Sequence, residues 1–278
     1  MLTFGVCQTF RLAVKSSALI SFQCSRKSSN RAGRIRHTDH MPTAPAYRTA
    51  RDLAREQITA DILEAARRRV AQEGAVALSV RAVARDVGMA SSAVYRYFSS
   101  RDELLTALIV AAYNDLGAAA EHADTDATAA GATPSARFTA VWHAIRSWAL
   151  SHPQEYALIF GSPVPGYAAP ADTIGPATRV PTVLLTILHE LGGSDTDSAE
   201  LPGVPGEVTR ALAPMRTFAE ESRFPDHILV RAITSWETLF GAISFELFGH
   251  THNVVADDPS VRTAFFEAQI DVVLGTLR

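Results

Sequence analysis

The sequence predicts an all-α fold. Three observations carry this reading. Apolar residues recur three and four positions apart from about residue 50 onward. No stretch alternates apolar and polar residues for long enough to make a strand. Small polar residues stand where helices begin, and glycines stand where they end.

The elements follow in order. Ile58, Ile62, Ala66 and Val70 are four apart and place one apolar stripe on a helix from about Arg48 to Glu73. Gly74 ends it. Ser79 is the N-cap expected for a short helix buried through Val80, Val83, Ala84 and Val87, which Gly88 breaks. A third short helix starts near Ser91 and buries Val94 and Phe98. Ser100 and Glu103 have the spacing of a capping box, in which each side chain satisfies the other residue's free amide. Leu104, Leu105, Leu108, Ile109, Ala112 and Leu116 continue that helix. Residues 121–133 are small, polar and Ala-rich and are expected to be a linker. Pro134 suits a first helical turn, and the following helix carries Phe138, Val141, Trp142, Ile145 and Trp148. Pro153 starts a short helix to about Phe160, and a loop to Pro170 follows. A helix is expected over about Thr173 to Leu191, a flexible segment over Gly192 to Gly206, and a helix over about Glu207 to Ser222. The last two helices, from about Pro225 to Phe248 and from Pro259 to about Leu277, are apolar most of the way round. Such helices need burial on more than one side, and a second copy of the chain is a natural source of the second surface.

Charge is distributed unevenly. Residues 1–40 hold seven Arg and Lys against one acid, whereas residues 121–278 hold nine Arg against nineteen acids. The acidic half repels phosphate, so any nucleic-acid contact belongs to the N-terminal part. Cys7 and Cys24 both lie in the first 40 residues, so the rest of the chain has no disulfide framework, which suits a reducing cytoplasm. No uninterrupted run of 18 apolar residues indicates a membrane span. Residues 1–47 are expected to be a disordered basic arm, or sequence upstream of a true start at Met41.

Leu78 to Phe98 contains the main signal. Two short helices meet at a tight turn at Gly88, with the small residues Ala84, Ala90 and Ala93 at their crossing. The second helix sets Ser91, Ser92, Ala93, Arg96 and Tyr97 opposite its buried side. Short polar side chains and an arginine on one helix suit the major groove of duplex DNA. With the helices on either side, from about Glu56 to Leu116, this stretch resembles the DNA-binding domain of the TetR family of regulators. The most specific part is Val94-Tyr95-Arg96-Tyr97-Phe98, followed by Arg101-Asp102-Glu103-Leu104-Leu105. The resemblance implies that Tyr95 and Tyr97 lie at the DNA surface, that Tyr97 touches phosphate, and that Arg101 makes a backbone contact. It also implies that Ser79 caps the second helix facing a phosphate. Arg81 lies on the same side. Ala90 and Ser92 depart from the family's usual Ser or Thr and Gly, so capping is expected to shift to Ser91. The DNA-binding domain is expected over 48–120.

Residues 134–278 are expected to form a helical effector-binding and dimerisation domain. The stretch Ser151 to Tyr167, with Trp236 to His250, resembles a TetR-type ligand domain named for a Trp-His-Gly signature. Here Phe240 stands in the histidine's place, between Trp236 and Gly241. Trp142, Trp148, Tyr156, Phe160, Tyr167 and Trp236 are the expected lining of an apolar pocket. Leu239, Phe240, Ile243, Phe265 and Val272 are the expected dimer interface. No histidine cluster has compact metal-ligand spacing, and no phosphate loop, nucleophile elbow or paired-carboxylate motif is present. No cofactor or enzymatic activity is expected. The partners expected are double-stranded DNA with a near-palindromic site, a small-molecule effector and a second copy of the chain. The competing readings are a helical small-molecule carrier and an activator answering to a partner protein.

Overall fold

The computed structural model describes residues 49–192, 206–218 and 224–277. The expected arm over 1–47 lies outside these residues, as does nearly all of the expected flexible segment over 192–206. Among the described residues the chain is helical, with no strands.

Helix α1 spans Ala50–Glu73 and opens with a capping box. The Thr49 hydroxyl accepts from the Asp52 amide, and the Asp52 carboxylate accepts from the Thr49 amide. That carboxylate also accepts from the Thr49 hydroxyl at 2.7 Å, and this bond, with the one from the Thr49 amide, holds it below its ordinary range. A single 3₁₀ turn, Ala75–Ala77, leads to α2, Val80–Asp86. Gly88 then takes a φ of +68°, which lets two amides turn back onto α2. The Met89 amide bonds to Ala84 O at 2.9 Å and the Gly88 amide to Arg85 O at 3.2 Å, the pairing of a Schellman stop. An alanine at this position must enter the left-handed region. Gly88→Ala is therefore expected to lower stability by about 1–2 kcal/mol, readable as a shifted urea midpoint at unchanged slope.

Helix α3 spans Ser91–Val94. Its backbone then tightens to i→i+3 bonds, Arg96 to Ala93 O at 3.2 Å and Tyr97 to Val94 O at 2.9 Å. The unit therefore makes about two turns. Ile62, Ala66, Val70, Val80, Val83, Val94 and Phe98 are buried together under α1, α2 and α3.

Helix α4 runs from Arg101 to Ala129. This corrects the expected linker over 121–133: only Ala130 to Thr133 turn. Alanine favours helix, and cross-links bind the extra turns to their neighbours. Arg179 grips Glu121 with two bonds, and Arg137 grips Asp124 with two. Arg179 lies across Gly117, where a Cβ would come within 2.8 Å of its side chain. The expected capping box at Ser100 is half formed. The Glu103 amide bonds to Ser100 Oγ, but the Glu103 carboxylate accepts from the amide and hydroxyl of Ser99.

Helices α5 (Pro134–Ser151), α6 (Pro153–Phe160) and α7 (Ile174–Gly192) pack on α4. A helix expected over 207–222 is two short ones, α8 (Gly206–Ala211) and α9 (Ala213–Phe218), broken at Leu212. Pro214 has no amide to continue the ladder, and residues 219–222 lie outside the described ones. Helices α10 (Asp226–Leu247) and α11 (Pro259–Leu277) close the domain. By length and composition α4 and α10 are apolar enough to cross a membrane. Leu104, Leu108 and Leu116 of α4 and Leu229, Leu239 and Ile243 of α10 are spent on the interior core.

Candidate nucleic-acid interface and effector domain

The head of the molecule sorts its residues by face. Val94 and Phe98 anchor α3 in the core, which turns Ser92, Tyr95 and Arg96 to solvent, with Ser91, Ala93 and Tyr97 half-buried. Arg81 on α2 is also exposed. Two expectations about caps are corrected here. Ala90, not Ser91, is the N-cap of α3, and no side chain caps it. Ser79 is the N-cap of α2, but its hydroxyl makes no cap bond to that helix.

Arg101 is placed differently from the expectation of a DNA-backbone contact. Its Nε donates to Leu78 O at 3.0 Å, and one terminal nitrogen donates to Ala75 O at 2.9 Å and Val76 O at 3.2 Å. The other terminal nitrogen reaches Asp102 at 3.3 Å. The guanidinium thus ties the start of α4 to the 3₁₀ turn before α2. A sequence motif gives residue type and position, but not which of two acceptors, protein carbonyl or phosphate, takes the donors.

The second domain gathers three of its six expected pocket residues. Phe160 packs on Phe240 with ring centroids 4.2 Å apart, Tyr156 lies 5.1 Å from Phe160, and Trp236 lies 5.7 Å from Phe240. The Tyr156 hydroxyl donates to Phe240 O and meets Ser244 Oγ. Burial pushes its pKa well up, so it stays a neutral phenol. The other three are elsewhere. Trp142 is buried between Phe138 and Phe266. Trp148 stacks on His152. Tyr167 meets Thr106 on α4 through its hydroxyl. The indole nitrogens of Trp142 and Trp148 are buried without a hydrogen-bond partner.

Phe240 is the hub of the aromatic group, a role the sequence reading missed by assigning it to the dimer surface. That assignment is corrected for three residues. Leu239 and Ile243 are 0% exposed and Phe240 is 7% exposed, all within one protomer. Both faces of α10 are apolar, and spacing alone does not say which one the protomer's own core takes. Phe265 and Val272 remain open to solvent, at 43% and 67%. They share one stripe of α11 with the exposed Val261 and Ala268.

The two parts are also linked across their boundary. Arg67 of α1 pairs with Asp115 of α4 at 2.9 Å and with Glu155 in the first turn of α6 at 3.2 Å. Glu155 is therefore one residue away from Tyr156, which packs in the aromatic group.

A helix-turn-helix head on a helical second domain is the build of a transcriptional regulator. The chain belongs to the TetR family. Residues 62–108 match the family described as bacterial regulatory proteins, tetR family, and residues 138–273 match the tetracyclin repressor-like C-terminal domain. The chain is 40% identical over 229 residues to HTH-type transcriptional regulator Rv1816 of Mycobacterium tuberculosis (strain ATCC 25618 / H37Rv), covering 81% of this chain and 94% of that protein. The same identity and coverage relate it to regulator Mb1846 of Mycobacterium bovis. Among solved structures, that of the protein SCO4313 is similar over 82% of this chain and all of its own, with 34% identity and a TM-score of 0.65. A protein of unknown function from Rhodococcus sp. RHA1 shares the fold at 22% identity, with a TM-score of 0.54 over 77% of this chain and 94% of its own.

Proposed function

We propose that this transcriptional regulator is a homodimeric, cytoplasmic repressor that leaves its operator when a small molecule enters the second domain. The observation that carries the DNA half is α3: two buried anchors, Val94 and Phe98, turn Ser92, Tyr95 and Arg96 to solvent, flanked by the half-buried Ser91, Ala93 and Tyr97. In a two-fold dimer two such helices enter successive major grooves about 34 Å apart on a near-palindromic site. Arg81 and Tyr97 serve as phosphate contacts. Ser79, whose hydroxyl makes no cap bond, serves as a third such contact at the start of α2. Arg101 acts by holding the head together through the carbonyls it binds, in place of a direct contact.

The aromatic group of Tyr156, Phe160, Trp236 and Phe240 supports the effector half. It offers apolar contact and no unpaired charge, which favours a largely apolar effector. An effector that parts these rings moves α6, and α6 holds α1 through the Arg67–Glu155 pair. A ligand binding better to the shifted head arrangement lowers DNA affinity by linkage. The exposed stripe of α11 supports the dimer.

Selection of bound sequences from a random duplex pool tests this reading. A near-palindrome is the expected result, and no enrichment overturns it. On the recovered operator, Tyr97→Ala weakens binding to all sequences alike. Substitutions at Ser92 or Ala93 instead change the preferred base pairs, by about 1–3 kcal/mol each. Uniform loss in both classes, measured by anisotropy on operator and mismatched duplexes, removes α3 from the groove.

A further inference from the structure

The five arginines of α1 fall into two sets: Arg51 and Arg55 near its start are exposed, and among the described residues neither meets a carboxylate. Arg67, Arg68 and Arg69 are all engaged by carboxylates: Asp115 and Glu155 for the first, Glu64 for the second, Glu73 and Asp86 for the third. Asp52, next to Arg51, is already taken by Thr49. Arg55 instead lies over the ring of Tyr97, its guanidinium carbon 5.1 Å from the centroid.

The placement follows from helix geometry. Arg55 is seven residues before Ile62, so it lies on the same face as the buried stripe of α1, two turns nearer the N-terminus. That face looks toward the end of α3. The ring attracts the cation through its π face, and among the described residues no N–H donor of the Arg55 guanidinium has an oxygen acceptor. The contact therefore holds the guanidinium beside the Tyr97 ring with its donors not taken by another protein oxygen. A planar fork of free donors suits the oxygens of a phosphate.

We propose that Arg55 and Tyr97 form one phosphate clamp, in which the Arg55 guanidinium binds a backbone phosphate of the DNA and the Tyr97 ring fixes its position. The clamp rests on the reading of α3 as the recognition helix. It adds to that reading a contact from α1, outside the helix-turn-helix itself.

The test titrates the full-length chain with its selected operator and with a scrambled duplex over a range of salt. Arg55→Gln is expected to lower affinity about tenfold per half-site near 0.1 M salt, on both duplexes alike. The slope of log affinity against log salt falls by about 0.9 per lost contact, or about 1.8 for a symmetric dimer. Arg55→Lys keeps the slope, because the charge stays, but loses part of the affinity. Arg55→Gln combined with Tyr97→Leu loses little more than the larger single effect, as expected of side chains acting as a unit. Thermal unfolding of Arg55→Gln stays at the wild-type midpoint. An unchanged salt slope in Arg55→Gln, with the wild type binding normally, overturns the clamp alone. Additive losses in the double variant do the same. A wild type that binds no duplex specifically overturns the reading of α3, and the clamp with it.

Discussion

Glutamate in place of Val272 is expected to convert the dimer into folded monomers and to lower operator affinity by about 1000-fold. Val272 is 67% exposed on α11, in one stripe with Val261, Phe265 and Ala268. In the proposed two-fold dimer the two copies of such a stripe face one another. Two glutamates there bring like charges into an apolar seam and leave them without partners. Each monomer keeps an intact α3, so half-site contacts survive. What disappears is the second engagement, which multiplies affinity by about 10²–10⁴ when two modules are joined at the right spacing. Sedimentation and anisotropy read the two effects separately. Phe265→Glu is expected to behave alike. Leu239→Glu is the informative contrast, since Leu239 is 0% exposed inside the protomer: it unfolds the chain and yields no stable monomer. If Val272→Glu sediments as a dimer, the interface lies on another face.

The contrast between Val272 and Leu239 also shows where sequence reading stops. That α10 and α11 are helices, and that they are apolar on more than one side, follows from spacing alone. Which side the protomer claims for itself depends on the position of α5 and α7, and no local pattern records it. The head was far more legible. Val80, Val83, Ala84, Val94 and Phe98 are buried where their spacing put them, and Gly88 ends α2 with a positive φ. Short elements with strong stop signals leave few alternatives. The long α4 was misjudged at residues 121–129 because Ala, Thr and Asp look the same in a linker and in a surface helix. The Glu121–Arg179 and Asp124–Arg137 pairs reach partners outside the segment, 58 and 13 residues along the chain, so spacing within the segment gives no hint of them. Arg101 was legible as a residue that matters, but its acceptors were not. The aromatic residues were legible as a class. Their division into the Phe240-centred group, the Trp142 group and the Trp148 stack needed the three-dimensional packing.

Arg146→Met is expected to cost about 3–5 kcal/mol of stability, because it leaves a buried carboxylate without its cation. Arg146 binds Glu246 through two bonds, Nε at 2.8 Å and a terminal nitrogen at 2.6 Å. It also donates to Thr263 at 3.3 Å and lies over the Phe266 ring at 5.2 Å. One side chain on α5 therefore joins α10 and α11, the helices that frame the proposed interface. The side chains of Arg146 and Glu246 are 9% and 15% exposed, so water repays little of what the lost partner supplied. The melting temperature is expected to fall by roughly 6–20 °C. Arg146→Met with Glu246→Met should recover most of the loss, since an apolar pair of similar volume often matches or exceeds a buried ion pair. The two outcomes separate stability from geometry. If the double variant is stable and still dimeric, apolar packing around Trp142, Phe266 and Ile243 sets the angle between α10 and α11. If it is stable but no longer dimeric, the ion pair sets that angle, and its fixed direction is what the dimer requires. A single variant that loses less than about 1 kcal/mol would place Glu246 in contact with water, as for an exposed pair, and remove the pair from both roles.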